Sequence, residues 1–103
     1  MFNIGVVVYT RGEAPGTLTA KWCHLTNGSG TGISTGGPLE GFAGRYRTIY
    51  YDEKGNEKFT FELLIEKNGD VYDLSWINNG EIRGRGIGMK VSEGLAAGYR
   101  FDD

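Results

Sequence analysis

Two Asn-Gly pairs, Asn68-Gly69 and Asn79-Gly80, bracket a run in which Tyr72, Leu74 and Trp76 occupy every second position. No other feature constrains the chain as strongly. Asn-Gly is the favoured pair of two-residue hairpin turns, because both central positions need positive φ and these residues tolerate it. Alternation puts successive side chains on opposite faces of a strand. Residues 71–78 are therefore a strand entered and left by hairpins, and both sequence neighbours must be antiparallel strands.

Those neighbours carry the same period. Residues 57–67 place Phe59, Phe61, Leu63 and Ile65 on one face. The segment has some helical propensity, but that alternation and the β-branched Thr60 decide for strand. Residues 81–91 set Ile82, Gly84, Gly86 and Gly88 against Arg83, Arg85, Ile87 and Met89. After a turn at 92–94, residues 94–101 set Leu95, Ala97, Tyr99 and Phe101 against Ala96, Gly98 and Arg100. Upstream, residues 42–51 set Gly44, Tyr46, Thr48 and Tyr50 against Arg45, Arg47, Ile49 and Tyr51, and the polar loop 52–56 closes a hairpin. Residues 16–23 alternate Leu18, Ala20 and Trp22 with Thr17, Thr19 and Lys21. Residues 3–10, apolar and β-branched, read as a buried first strand, followed by a turn at 11–15. Residues 26–41 hold six glycines and read as a loop, or as a short strand around 31–35 between two loops.

No window has a convincing helical period. Seven or eight strands joined by hairpins make an all-β, antiparallel up-and-down meander. Left flat, it would expose two edges. Closed into a small barrel of about eight strands, it has none, and its interior is filled by side chains or holds one small ligand. Residues 1–103 make one domain, large enough for one core. Glycine supports the reading: 18 of 103 residues is more than twice the usual ~7%. Gly84 and Gly86, on the inner face, leave room for a ring such as Trp76 or Tyr72. A weak repeat pairs Ile4-Gly5 and Leu18-x-Ala20-x-Trp22 with Ile87-Gly88 and Leu95-x-Ala97-x-Tyr99, as a repeated hairpin would.

The formal net charge is −2, so the basic footprint of a nucleic-acid binder is missing and no nucleic-acid partner is expected. The single cysteine, Cys23, has no partner for an internal disulfide and fits a reducing compartment. The apolar start, Met1 to Tyr9, lacks a positive flank and a cleavage site and is too short to span a bilayer. The expectation is a cytoplasmic protein without membrane contact.

From Gly44 onward the chain runs Gly-Arg-Tyr46, Asp52-Glu-Lys-Gly-Asn56, Gly69-Asp-Val-Tyr72-Asp-Leu-Ser-Trp76, Gly84-Arg-Gly-Ile-Gly88 and Gly94-Leu-Ala-Ala-Gly-Tyr99. Gly16-Thr-Leu-Thr-Ala-Lys-Trp22 fits the first half of the same outline. This resembles a group of small bacterial β-barrel domains of uncharacterised role, avidin-like or lipocalin-like (calycin-type) in architecture. The resemblance implies a fold and no activity. The chain carries no residue pattern for a biotin site and no Gly-x-Trp opening at its N-terminus.

Chemistry-bearing constellations are sparse. Cys23 and His24 are adjacent, so on a strand they point to opposite faces and form no nucleophile–base pair unless a turn there reorients them. One His and one Cys would need carboxylates to complete a zinc site. The carboxylates at Asp52/Glu53, Asp70/Asp73 and Asp102/Asp103 sit in turns, at strand ends or at the terminus, where solvated charge is the rule. The runs Gly28-Ser-Gly-Thr-Gly32 and Gly84-Arg-Gly-Ile-Gly88 precede no helix, which a phosphate loop requires. No enzyme activity, cofactor or metal is expected. What remains is two sets of residues. Trp22, Tyr46, Tyr72, Trp76 and Tyr99 fall on the inner face and suggest a pocket at one barrel mouth, partly covered by the 26–41 loop, for a small apolar or aromatic ligand. Arg45, Arg47, Arg83, Arg85, Ile87 and Met89 fall on the outer face and suggest a protein-interaction or homodimer surface. The arginines could equally be neutralised across strands by Glu57, Glu62, Glu66 and Asp73.

Overall fold

A computed structural model describes residues 3–102. Eight strands follow one another: β1 (Ile4–Arg11), β2 (Leu18–His24), β3 (Gly28–Thr35), β4 (Gly44–Asp52), β5 (Glu57–Asn68), β6 (Val71–Asn78), β7 (Glu81–Val91) and β8 (Gly94–Phe101). Each pairs antiparallel with the next, and β1 also pairs with β8, which closes the barrel. The described residues include no helix. The protein is the small antiparallel eight-stranded barrel that the alternation requires.

Inward positions follow the period of two. Val7, Tyr9, Leu18, Ala20, Trp22, Tyr46, Tyr50, Leu63, Ile65, Tyr72, Leu74, Trp76, Leu95 and Ala97 are buried. Rings dominate this core, and each buries on the order of 150–250 Å². So many rings fit inside a narrow barrel because glycines stand beside them. A Cβ added at Gly30 would meet the Trp22 ring at 2.9 Å, at Gly32 the Tyr50 ring at 2.8 Å, and at Gly84 the Phe101 ring at 2.8 Å. One at Gly5 would collide with the Tyr99 ring, and one at Gly37 with Tyr46. Gly86 lies under Trp76, as its place on the inner face suggests. The glycine-rich, aromatic-rich composition is one packing device: the ring fills the volume that the glycine vacates. Polar groups inside are paired, as Ser34 Oγ with Thr48 Oγ1 at 2.7 Å.

The two ends of the barrel differ. At the end where β1 finishes and β4 begins, the segment 36–43 folds inward as a plug. Its Phe42 is buried, and the Tyr46 hydroxyl donates to the Phe42 carbonyl at 2.9 Å. The Arg11 guanidinium donates to the carbonyls of Pro38, Leu39 and Gly41 at 3.1, 2.6 and 2.9 Å. Lys90 lies over the Phe42 ring. The other end stays open.

Several expectations change. Residues 28–35 form a full barrel strand, because β3 must bridge β2 and β4 for closure; the true loop, 36–43, seals the plugged end and does not cover the open mouth. Residues 42 and 43, expected in a strand, belong to that plug. The first strand is buried on one face only: Val7 and Tyr9 point in, while Ile4, Val6 and Val8 are exposed. An antiparallel barrel has nothing to cover its outer surface, so an apolar run there stays bare. The repeated hairpin does not survive either. Leu18, Ala20 and Trp22 do match Leu95, Ala97 and Tyr99 as inward residues, but Gly5 faces His24 whereas Gly88 faces Ala97. Met1, Phe2 and Asp103 lie outside the described residues.

Candidate ligand-binding site

In an up-and-down barrel the ends of even strands and the starts of odd strands share one rim. At the open end this brings Trp22 from β2, Tyr50 from β4, Trp76 from β6, and Tyr99 and Phe101 from β8 together with Phe59 and Phe61 near the start of β5. Val7 adds an aliphatic wall, and Asn3, His24, Asn27 and Asp102 complete the surround. They enclose a cavity of about 200 Å³. The register shifts on β4 at Tyr50/Tyr51 and on β6 at Trp76/Ile77. Such bulges bend a strand and re-aim its side chains at a barrel rim, and here each lies beside a ring that lines the cavity.

The rings brace one another. Trp76 packs against Tyr99 and Phe101 with centroids 5.5 Å apart in both cases, at 55° and 44°. Tyr99 meets Phe101 edge-on at 5.6 Å, and Phe61 lies 5.1 Å from Phe101. These are the offset and T-shaped arrangements that the ring quadrupole favours.

Polar atoms in this wall are largely committed to the protein. Trp22 Nε1 donates to the Thr31 carbonyl at 2.9 Å. Tyr99 donates to the Cys23 carbonyl at 3.1 Å. Trp76 Nε1 donates to the Tyr50 hydroxyl at 2.7 Å, and Tyr50 meets the Tyr9 hydroxyl at 2.6 Å. Burial pushes Tyr50 up to about 12, and it raises Tyr9 and Tyr99 as well. All three hydroxyls thus stay neutral at pH 7.

His24 secures the rim. The backbone N–H groups of Thr26 and Asn27 both donate to its Nδ1 at 3.1 Å. That nitrogen is therefore unprotonated, and Nε2 carries the hydrogen that goes to Asn3 Oδ1 at 2.5 Å. Asn3 Nδ2 passes the link on to the Phe101 carbonyl at 2.8 Å. The imidazole faces the cavity while the Cys23 thiol is exposed on the outer surface, so the two diverge as neighbours on a strand must.

Of the five rings read from the sequence as a pocket, the structure brings Trp22, Trp76 and Tyr99 together. Tyr46 and Tyr72 stand near the starts of even strands and lie buried toward the plugged end. Tyr50, Phe59, Phe61, Phe101, Asn3 and His24 complete the cavity, while Tyr9 stands behind Tyr50 and outside the wall. The alternation and the strand parity together point to most of them.

The outer-face set also divides. Arg45 and Arg47 are on β4, whereas Arg83, Arg85, Ile87 and Met89 are on β7, with β5 and β6 between. Arg45 pairs with Glu62, Arg85 with Asp73 at 2.6 Å, and Arg83 with Glu81 at 3.4 Å. Exposed pairs of this kind contribute about 0–1 kcal/mol each. Ile87 and Met89 instead join a different neighbourhood. In register across β8, Ile87 aligns with Gly98 and Val6, and Met89 with Ala96 and Val8.

No protein-family model, curated protein or solved structure matches this chain.

Proposed function

We propose that the protein is a non-enzymatic binding barrel for a small apolar or aromatic molecule held at its open end. The observation that carries this is the cavity itself: about 200 Å³, walled by aromatic rings from five strands. A dry apolar cavity of ~150 Å³ suffices for benzene, so the size suits one or two fused rings. The closed eight-stranded barrel supports the same reading, since a barrel of that strand number has room for one small ligand. The lone exposed thiol agrees with a cytoplasmic setting.

Both tryptophans of the chain line the site, so intrinsic fluorescence reports on it without labels. Titration with one- and two-ring aromatics is expected to give a saturable change. Val7→Phe should fill the cavity from its wall and abolish that change while the circular dichroism spectrum stays that of the wild type. Binding undiminished in a folded Val7→Phe protein would place the ligand elsewhere, and a flat titration across the panel would remove the reading.

A second reading, a homodimer, rests on the bare outer face of β1, β8 and β7. Val6, Val8, Ile87 and Met89 are 41–69% exposed and flank the small residues Ala96 and Gly98. The four are neighbours across β7, β8 and β1 and form one contiguous exposed apolar patch, the kind of feature that can mark a contact between proteins. Sedimentation equilibrium at micromolar concentration is expected to return twice the chain mass; a monomer mass throughout would dismiss the dimer and leave the pocket reading untouched.

A further inference from the structure

We infer that the cavity displays one unpaired hydrogen-bond donor, the Tyr50 hydroxyl, and so selects small aromatic molecules that carry an acceptor, such as a ring nitrogen or a carbonyl, at their buried end. The inference rests on the pocket reading and adds the chemistry of the ligand to it.

It follows from counting hydrogens. Trp76 Nε1, Tyr9 and Tyr50 carry one polar hydrogen each, and two hydrogen bonds join them. The indole N–H only donates, so the Tyr50 oxygen must accept from it. Between the two phenols one hydrogen is used and one is left over. If Tyr50 donated to Tyr9, the spare hydrogen would sit on Tyr9. That residue is 0% exposed and is not part of the cavity wall; the Trp76 indole N–H also lies beside its hydroxyl, but a donor cannot take that hydrogen. An orphaned donor there is the costly arrangement. If Tyr9 donates to Tyr50 instead, every buried hydrogen away from the cavity is paired. Tyr50 then accepts twice, and its own hydrogen remains. Tyr50 does line the cavity, so a guest can take that hydrogen.

The rest of the deep wall sharpens the selection. Trp22 and Tyr99 have given their hydrogens to backbone carbonyls. With both lone pairs engaged, the Tyr50 oxygen no longer accepts. The wall thus offers one free donor among rings, which suits a flat, neutral molecule with one acceptor atom.

Quinoline and naphthalene differ by that atom and little else. Their dissociation constants, read by tryptophan fluorescence, are to be measured for the wild type, Tyr50→Phe and Tyr9→Phe. Solvent partitioning of the two probes cancels when the ratio is compared between proteins. Tyr50→Phe is expected to shift the ratio roughly 3- to 10-fold against quinoline, the effect of one neutral hydrogen bond. Tyr9→Phe should leave the ratio unchanged, because the spare hydrogen was already on Tyr50. Two results overturn the inference while sparing the pocket: an unchanged ratio in Tyr50→Phe, or a gain of quinoline preference in Tyr9→Phe, which would mean that Tyr50 had been donating to Tyr9. If neither probe binds the wild type, the pocket reading falls and takes this inference with it. Should Tyr50→Phe fail to fold, the carbonyl stretch of ¹³C-labelled acetophenone bound to the wild type decides. A shift to lower frequency than in alkane supports the donor, and an unshifted band overturns it.

Discussion

Trp76→Ala is expected to lower the stability of the barrel by about 3–5 kcal/mol, the range for truncating a large buried ring. The ring is 1% exposed and packs on both Tyr99 and Phe101. Its removal would also strip the Tyr50 oxygen of the indole hydrogen bond. Against a typical total of ~5–15 kcal/mol for a small domain, such a loss takes a large share of what keeps the chain folded. Urea denaturation monitored by circular dichroism would show the midpoint falling steeply with little change in slope. A loss below about 0.5 kcal/mol, the usual level for surface changes, would show that Trp76 is a wall of the cavity and not a strut of the core. The same residue lines the site and supports it. Its truncation therefore reports on folding, and filling the cavity from Val7 is the cleaner probe of binding.

How far the sequence discloses the site depends on which rule is applied to it. The period of two assigns faces correctly for Trp22, Tyr50, Trp76 and Phe101, because every strand of a one-layer barrel has one buried and one wet face. It does not say which end of the barrel a residue occupies. Strand parity does: Trp22, Tyr50 and Trp76 lie toward the ends of even strands, whereas Tyr46 and Tyr72 lie near their starts. Applied together, the two rules separate the open mouth from the plugged end without coordinates. The plug itself was not legible. Phe42 continues the apolar pattern of β4 into a segment that no longer pairs, and what holds it is Arg11, about thirty positions away, collecting three carbonyls. Local sequence carries no mark of that contact. The exposed side of β1 was hidden for a related reason. Ile4, Val6 and Val8 read as buried because they are apolar, and only closure against β8 shows that both flanking strands are in the sheet and nothing lies above it.

Gly86→Val is expected to destabilise the barrel by at least ~1–3 kcal/mol, and Gly98→Val on the adjacent strand to be neutral or mildly stabilising. Neither glycine takes a positive φ, so backbone strain does not separate them; the space around each does. A Cβ at Gly86 would lie 2.5 Å from the Gly98 carbonyl oxygen, 3.1 Å from the Trp76 ring and 3.2 Å from Tyr99 Cβ. The ring could yield a few tenths of an ångström, but the carbonyl belongs to the β7–β8 ladder and can move only with the strand. A β-branched side chain, stiff at χ1, adds two methyl groups to that crowding. At Gly98 an added Cβ meets nothing within 4 Å. Valine there would project outward between Val6 and Ile87, its cross-strand neighbours, and would reduce the conformational freedom that glycine keeps in the unfolded chain. Thermal melts of the two variants beside the wild type should move in opposite directions, or one should move and the other stay. Equal losses at both positions would mean that the glycines of β7 and β8 serve backbone flexibility, and that matching glycines to rings is not what lets so many aromatic side chains share one narrow barrel.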